Sequence, residues 1–120
     1  MARILVHITY GPEHPTRAAL GFLVAKAAIE EGHTVTMFLA GDAVQLIRDP
    51  VLNTLTGLGT GSLRESFDGV VGGGGKLFLS GMSSRARGVT DTDLAGKPVE
   101  FATPKDLVRL AVESDRVFTY

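Results

Sequence analysis

Five short runs constrain the folding of this chain more than anything else in it: RILVHI (3–8), TVTMFLA (34–40), KLFLS (76–80), PVEFA (98–102) and RVFTY (116–120). Each is rich in β-branched or aromatic residues and is apolar continuously instead of at alternate positions. Such runs suit strands covered on both faces, as in parallel sheets. The intervals between them are long enough for helical crossovers and carry helix punctuation. Thr16 is placed to cap a helix running to about Glu31, with Gly32 in the left-handed closing position. Ser62 and Glu65 have capping-box spacing ahead of a helix near 63–71. Thr103, Pro104 and Asp106 supply the cap, first-turn proline and first-turn acid of a last helix that ends near Ser114. These elements predict an α/β fold: residues 1–120 as one domain, a three-layer sandwich with a five-stranded, mostly parallel sheet and helices on both faces, flavodoxin-like or Rossmann-like. GLGTG (57–61) and GGGG (72–75) read as mobile loops flanking the middle helix.

Charge and residue usage exclude several classes of function. Twelve Lys+Arg stand against 13 Asp+Glu with no block of one sign, so neither nucleic acid nor anionic lipid is an expected partner. There is no cysteine, which removes disulfides, thiolate metal sites and any thiol chemistry carried by the chain itself. Three histidines, at 7, 14 and 33, lack metal-site spacing, so no metal is expected. No cofactor is expected either: Lys76 follows Gly75 as in a phosphate loop, but Val70 and Leu77 occupy the positions of its first glycine and its magnesium-binding hydroxyl. The opening MARILVHITYG reads as a first strand, not a signal peptide, and AALGFLVAKAAI is too short to span a bilayer and contains Lys26. A cytoplasmic location is the resulting expectation. The first helix is apolar almost all round, with a narrow polar stripe through Lys26 and Glu30. It therefore needs cover beyond the sheet, and a homo-oligomer would supply it.

In an open parallel sheet, ligands sit beyond the carboxyl ends of the strands. The loops that meet this rule are ITYGPEHPTR, AGDAVQL, SGMSSRARG and ATPK, with Thr119 and Tyr120 at the end of the chain. Candidate ligand-binding residues are Tyr10, Asp42, Ser80, Gly81, Met82, Ser83 and Arg85, with His14 and Ser84 nearby. Each has a plainer reading. Asp42 suits the N-cap of a short helix, His7 a satisfied core position, His33 a helix end, Met82 a gap-filler, and Arg85 and Arg87 solvated or subunit-contact positions. Ser80, His14 and Asp42 have the chemistry of a triad, but the chain lacks the G-x-S-x-G elbow that exposes a serine nucleophile.

Taken together, "ILVHITYGPEHPTRAALGFLVAKAAIEEGHTVTMFLAGDAVQLI", "KLFLSGMSSRARGV" and "TPKDLVRLAVESDRVFTY" resemble the DsrE-like family, the DsrE/DsrF branch of the sulfur-relay superfamily. The resemblance implies a five-stranded parallel sheet, assembly as a cytoplasmic prokaryotic trimer or hexamer, and a cysteine at or just after the KLFLS strand that carries sulfane sulfur. Ser80 stands at that cysteine position. A serine hydroxyl is scarcely ionised near neutral pH, whereas a thiol has a pKa of about 8.5 that is readily lowered. Ser80 therefore reads as a vacated catalytic position, and persulfide transfer is not expected. What remains is a subunit that binds a small molecule or a partner. The alternatives are a non-thiol enzyme using Ser80, Tyr10 and Asp42, or a structural subunit paired with a cysteine-bearing paralogue.

Overall fold

The computed structural model describes residues 1–120. Strand β1 (Arg3–Ile8) leads through α1 (Pro15–Glu30) to β2 (Thr34–Leu39). A 3-10 segment (Gly41–Ile47), α2 (Asp49–Leu52), the small strands β3 (Thr56–Gly57) and β4 (Gly61–Ser62), and α3 (Leu63–Gly72) connect β2 to β5 (Lys76–Ser80). Helices α4 (Gly81–Arg87) and α5 (Asp91–Leu94) precede β6 (Val99–Ala102), and α6 (Pro104–Glu113) precedes β7 (Arg116–Thr119). The five apolar runs are thus β1, β2, β5, β6 and β7, and they form one parallel sheet in the order β6-β5-β2-β1-β7.

The order of the strands dictates the layers. From β1 the chain steps to β2, β5 and β6 in one direction, then crosses back to place β7 outside β1. Right-handed crossovers put the helices of the outward steps on one face and α6, on the return step, on the other. Burial is correspondingly unequal. The first face carries a cluster of 22 buried residues, whereas the second has three, Leu5, Phe38 and Ala102, so most apolar stabilisation comes from one side. Helix α6 covers the second face with Leu107, Leu110 and Ala111, and it leaves its own Val108 and Val112 in solvent. Val117 and Phe118 of the edge strand are exposed as well.

Several local expectations are corrected. GLGTG is an antiparallel hairpin, β3–β4, whose Gly57 approaches α1 so closely that a Cβ there would lie 2.9 Å from Thr16 Cα. Thr16 is not the cap of α1: His14 occupies that position and Pro15 opens the helix, because proline arrives with a helical φ and no N–H to satisfy. The Thr16 hydroxyl instead accepts from Leu58 N at 3.0 Å and anchors the hairpin. Ser62 caps α3 by accepting from Glu65 N, but the Glu65 carboxylate turns to Lys26 of α1, 3.9 Å away, so the box is half made. His33 serves the end of α1 through its backbone, its N–H donating to Ala28 O at 3.0 Å, while its ring Nδ1 accepts from Ala2 N at 2.9 Å at the start of β1. Within GGGG, Gly72 ends α3, Gly73 caps it and Gly75 is buried against Val70.

Helix α1 finds much of its cover inside the chain. Helix α3 and the hairpin pack along it, and the Phe22 and Phe67 rings meet with centroids 6.3 Å apart. Phe22→Ala should cost about 3–5 kcal/mol of unfolding free energy, because a large void would open where the ring is fully buried. Val108→Ala, on the exposed side of α6, should stay within about 0.5 kcal/mol of the parent. Urea unfolding of the two variants checks both values.

Candidate functional site

Strand β5 ends in Ser80, 7% exposed, which is also the N-cap of α4. Its Oγ accepts from Ser83 N at 3.1 Å, so this hydroxyl terminates the strand and starts the helix. Ser83 Oγ accepts from Gly41 N at 2.9 Å and ties α4 to the loop after β2. Asp42 is not a helix cap; Ala40 holds that position, and Asp42 lies in the first turn of the 3-10 segment. Gly41 at φ +59° turns the chain there, and Arg87 Nε donates to Asp42 Oδ1 at 2.9 Å. Arg87 Nη1 also reaches Ser83 O at 3.2 Å, and Arg48 Nη2 donates to Arg87 O at 2.8 Å. Arg87 is therefore a brace within the chain, not a solvated charge.

The residues singled out from sequence do not gather into one cleft. Tyr10 lies with its ring against the edge of His14 at 5.3 Å between centroids, and the Arg17 guanidinium sits 4.8 Å from its centre. Asp42 faces a hollow of about 440 Å³ bounded by Pro12, Gln45 and Arg48. Gly81, Met82 and Arg85 open on the opposite side of α4, into a cleft of about 400 Å³ against Phe101, Thr103, Pro104 and Asp106 at the β6–α6 junction. Ser80, His14 and Asp42 share no hydrogen bond; the first is a cap, the second packs on Tyr10 and the third pairs with Arg87. Met82 is exposed and forms part of the cleft wall.

The cleft has one uncommitted charge. Arg85 makes no ion pair or hydrogen bond, and its guanidinium lies over Gly81, where a Cβ would stand 3.3 Å from Nη1. Asp106 is already engaged: its carboxylate accepts from Thr103 N at 2.8 Å and from Thr103 Oγ1 at 3.0 Å, and it pairs with Arg109. The Thr103 backbone bond, then Arg109 and the Thr103 hydroxyl, hold its pKa below the ordinary 3.8, so it is anionic at neutral pH. A smaller recess of about 120 Å³ shares Gly81, Arg85 and Phe101 with the cleft and is lined also by Ser84 and Val89. Sequence reading places ATPK at this sheet edge but singles out none of its side chains. Phe101 also escapes it, because nothing local shows that β6 lies next to α4.

His7 is another departure. It is half-buried on the α6 face beside Phe38, with ring centroids 5.9 Å apart, and its Nε2 is buried with no hydrogen-bond partner. Burial holds its pKa below the ordinary 6.5. The folded state thus binds fewer protons at this group than the unfolded state, and stability rises with pH across that window. Unfolding free energy should fall as pH drops from neutral through 6.5 and below, and His7→Gln should flatten that part of the profile in urea titrations. For the cap, Ser80→Ala should cost about 1 kcal/mol while leaving the far-ultraviolet circular dichroism spectrum of the native state unchanged.

A three-layer α/β sandwich with its polar loops at the carboxyl edge of a five-stranded parallel sheet defines the class of protein. The family model described as DsrE/DsrF-like family matches residues 2–120, and the chain belongs to that family. Among solved structures, the ychN protein from E. coli is similar with a TM-score of 0.80 at 18% identity, covering 100% of both chains. A conserved protein of unknown function, BT1422 from Bacteroides thetaiotaomicron, is similar with a TM-score of 0.71 at 10% identity over 99% of this chain and 95% of that one. At such identities the likeness is one of fold. No functionally curated protein matches the chain.

Proposed function

We propose that this chain is a DsrE-like subunit that does not carry sulfur and instead binds a small molecule or a partner protein through the cleft between α4 and the β6–α6 junction. One observation carries the reading. In a chain with no cysteine, Ser80, which the sequence resemblance sets at the family's sulfur-accepting position, is buried and its hydroxyl caps α4. A side chain in that state offers neither a thiolate nor an accessible oxygen.

A non-thiol enzyme acting through Ser80, Tyr10 and Asp42 draws less support, because Ser80 serves as a cap, Tyr10 packs on His14 and Asp42 is already paired with Arg87. In this reading the protein works in the cytoplasm as a homo-oligomer, a trimer or a hexamer, alone or with a cysteine-bearing paralogue. No helix is long and apolar enough to cross a membrane. Val108 and Val112 on α6 and Val117 on β7 offer apolar surface for assembly.

Native mass spectrometry of freshly purified protein, before and after incubation with a polysulfide donor, tests this reading. The expected spectrum is a trimer or hexamer that gains no sulfur. A monomer would overturn the assembly, and transfer of sulfane sulfur to an acceptor faster than by Ser80→Ala would overturn the non-thiol role.

A further inference from the structure

We propose that the cleft between α4 and the β6–α6 junction is a site for a small organic monocarboxylate with an apolar body. The proposal rests on the reading of this cleft as the working surface and assigns the chemistry it recognises. Its first support is Arg85. Asp42 engages Arg87, Asp93 lies 3.9 Å from Arg48, and Glu100 engages Lys76, yet Arg85, which lines two neighbouring hollows, has neither an acid nor a carbonyl partner. A guanidinium presents paired N–H donors in a plane that matches a carboxylate.

The second support is independent of that charge. Ser84 is 1% exposed, lines the inner recess together with Arg85, and its Oγ has no hydrogen-bond partner. Buried hydroxyls are nearly always partnered, so an unpartnered one on a residue that lines the recess leaves a hydrogen bond for a ligand to supply. The two features lie on adjacent residues of α4 and face the same space.

The walls select the class of ligand. Met82 and Phe101 flank the cleft and Val89 closes the recess, so the body of the ligand meets apolar surface. A single free cation balances a single negative charge. Asp106, anionic and committed to Thr103 and Arg109, borders the same cleft and opposes a second one. A monocarboxylate satisfies these conditions, whereas a phosphate dianion does not.

The test is calorimetric titration of the full-length protein with benzoate, hexanoate, benzamide and inorganic phosphate. Binding of at least one of the two carboxylates is expected, with neither benzamide nor phosphate competing for the site. Arg85→Met should abolish it, Arg85→Lys should weaken it, and Ser84→Ala should weaken it while leaving a measurable signal. Arg85 is exposed, so its variants should fold as the parent does, which matched thermal melts would verify. Carboxylate binding that persists undiminished in Arg85→Met would overturn the site. Phosphate binding in place of carboxylate, or no response to either acid, would overturn the ligand class. Neither result bears on the sulfur-transfer assay, by which the non-thiol reading stands or falls separately.

Discussion

The direction of the crossovers governs this molecule. Three right-handed steps carry the chain outward from β1 to β6, and one carries it back to β7. Everything connected to the outward steps accumulates on one face of the sheet, where α1, α3 and the hairpin enclose the main core. The return step supplies α6 alone, and a ten-residue helix is too small to cover five strands. The thin second layer, the half-buried His7 and the exposed valines of α6 and β7 are consequences of that imbalance.

The same topology makes the cleft. Because β5 and β6 are neighbours and parallel, their carboxyl ends lie side by side, and the chain leaves each at the same edge. Helix α4 begins directly after β5 and α6 begins two residues after β6, so the two helix starts face one another across a gap. The gap is narrow at Gly81, where a Cβ would stand 3.3 Å from Arg85 Nη1 and 3.6 Å from Ala102 O. Hydrogen bonding then separates fasteners from free groups. Ser80, Ser83, Asp42 and Arg87 are all consumed in holding α4 to β5 and to the loop after β2. Ser84 Oγ and the Arg85 side chain are what this network leaves over.

A polar residue at the end of β5 has a structural task in this fold. Retaining a polar residue at the end of β5 preserves the helix cap, since a serine oxygen accepts from the N–H three residues on. A serine there supplies no soft, readily ionised nucleophile. The position therefore serves the scaffold without supplying thiol chemistry.

How much of this was legible beforehand follows from the range of each interaction. Apolar runs, capping residues and the left-handed Gly32 act over a few residues, so the strands, the main helices and the Thr103 cap of α6 could be read directly from the chain. The hairpin in GLGTG could not, because Gly57 there answers to the approach of Thr16 and Ala19 from a helix far away in sequence. Nor could the fate of the polar residues after β2 and β5: Asp42 pairs with Arg87 across 45 positions, and Ser83 with Gly41 across 42. Composition alone determined that no thiol chemistry resides here, since no arrangement of residues supplies an absent sulfur. Which of several similar serines and arginines stay free to meet a ligand was decided only by the tertiary structure, because a polar group's availability depends on which partners the fold brings within hydrogen-bonding distance.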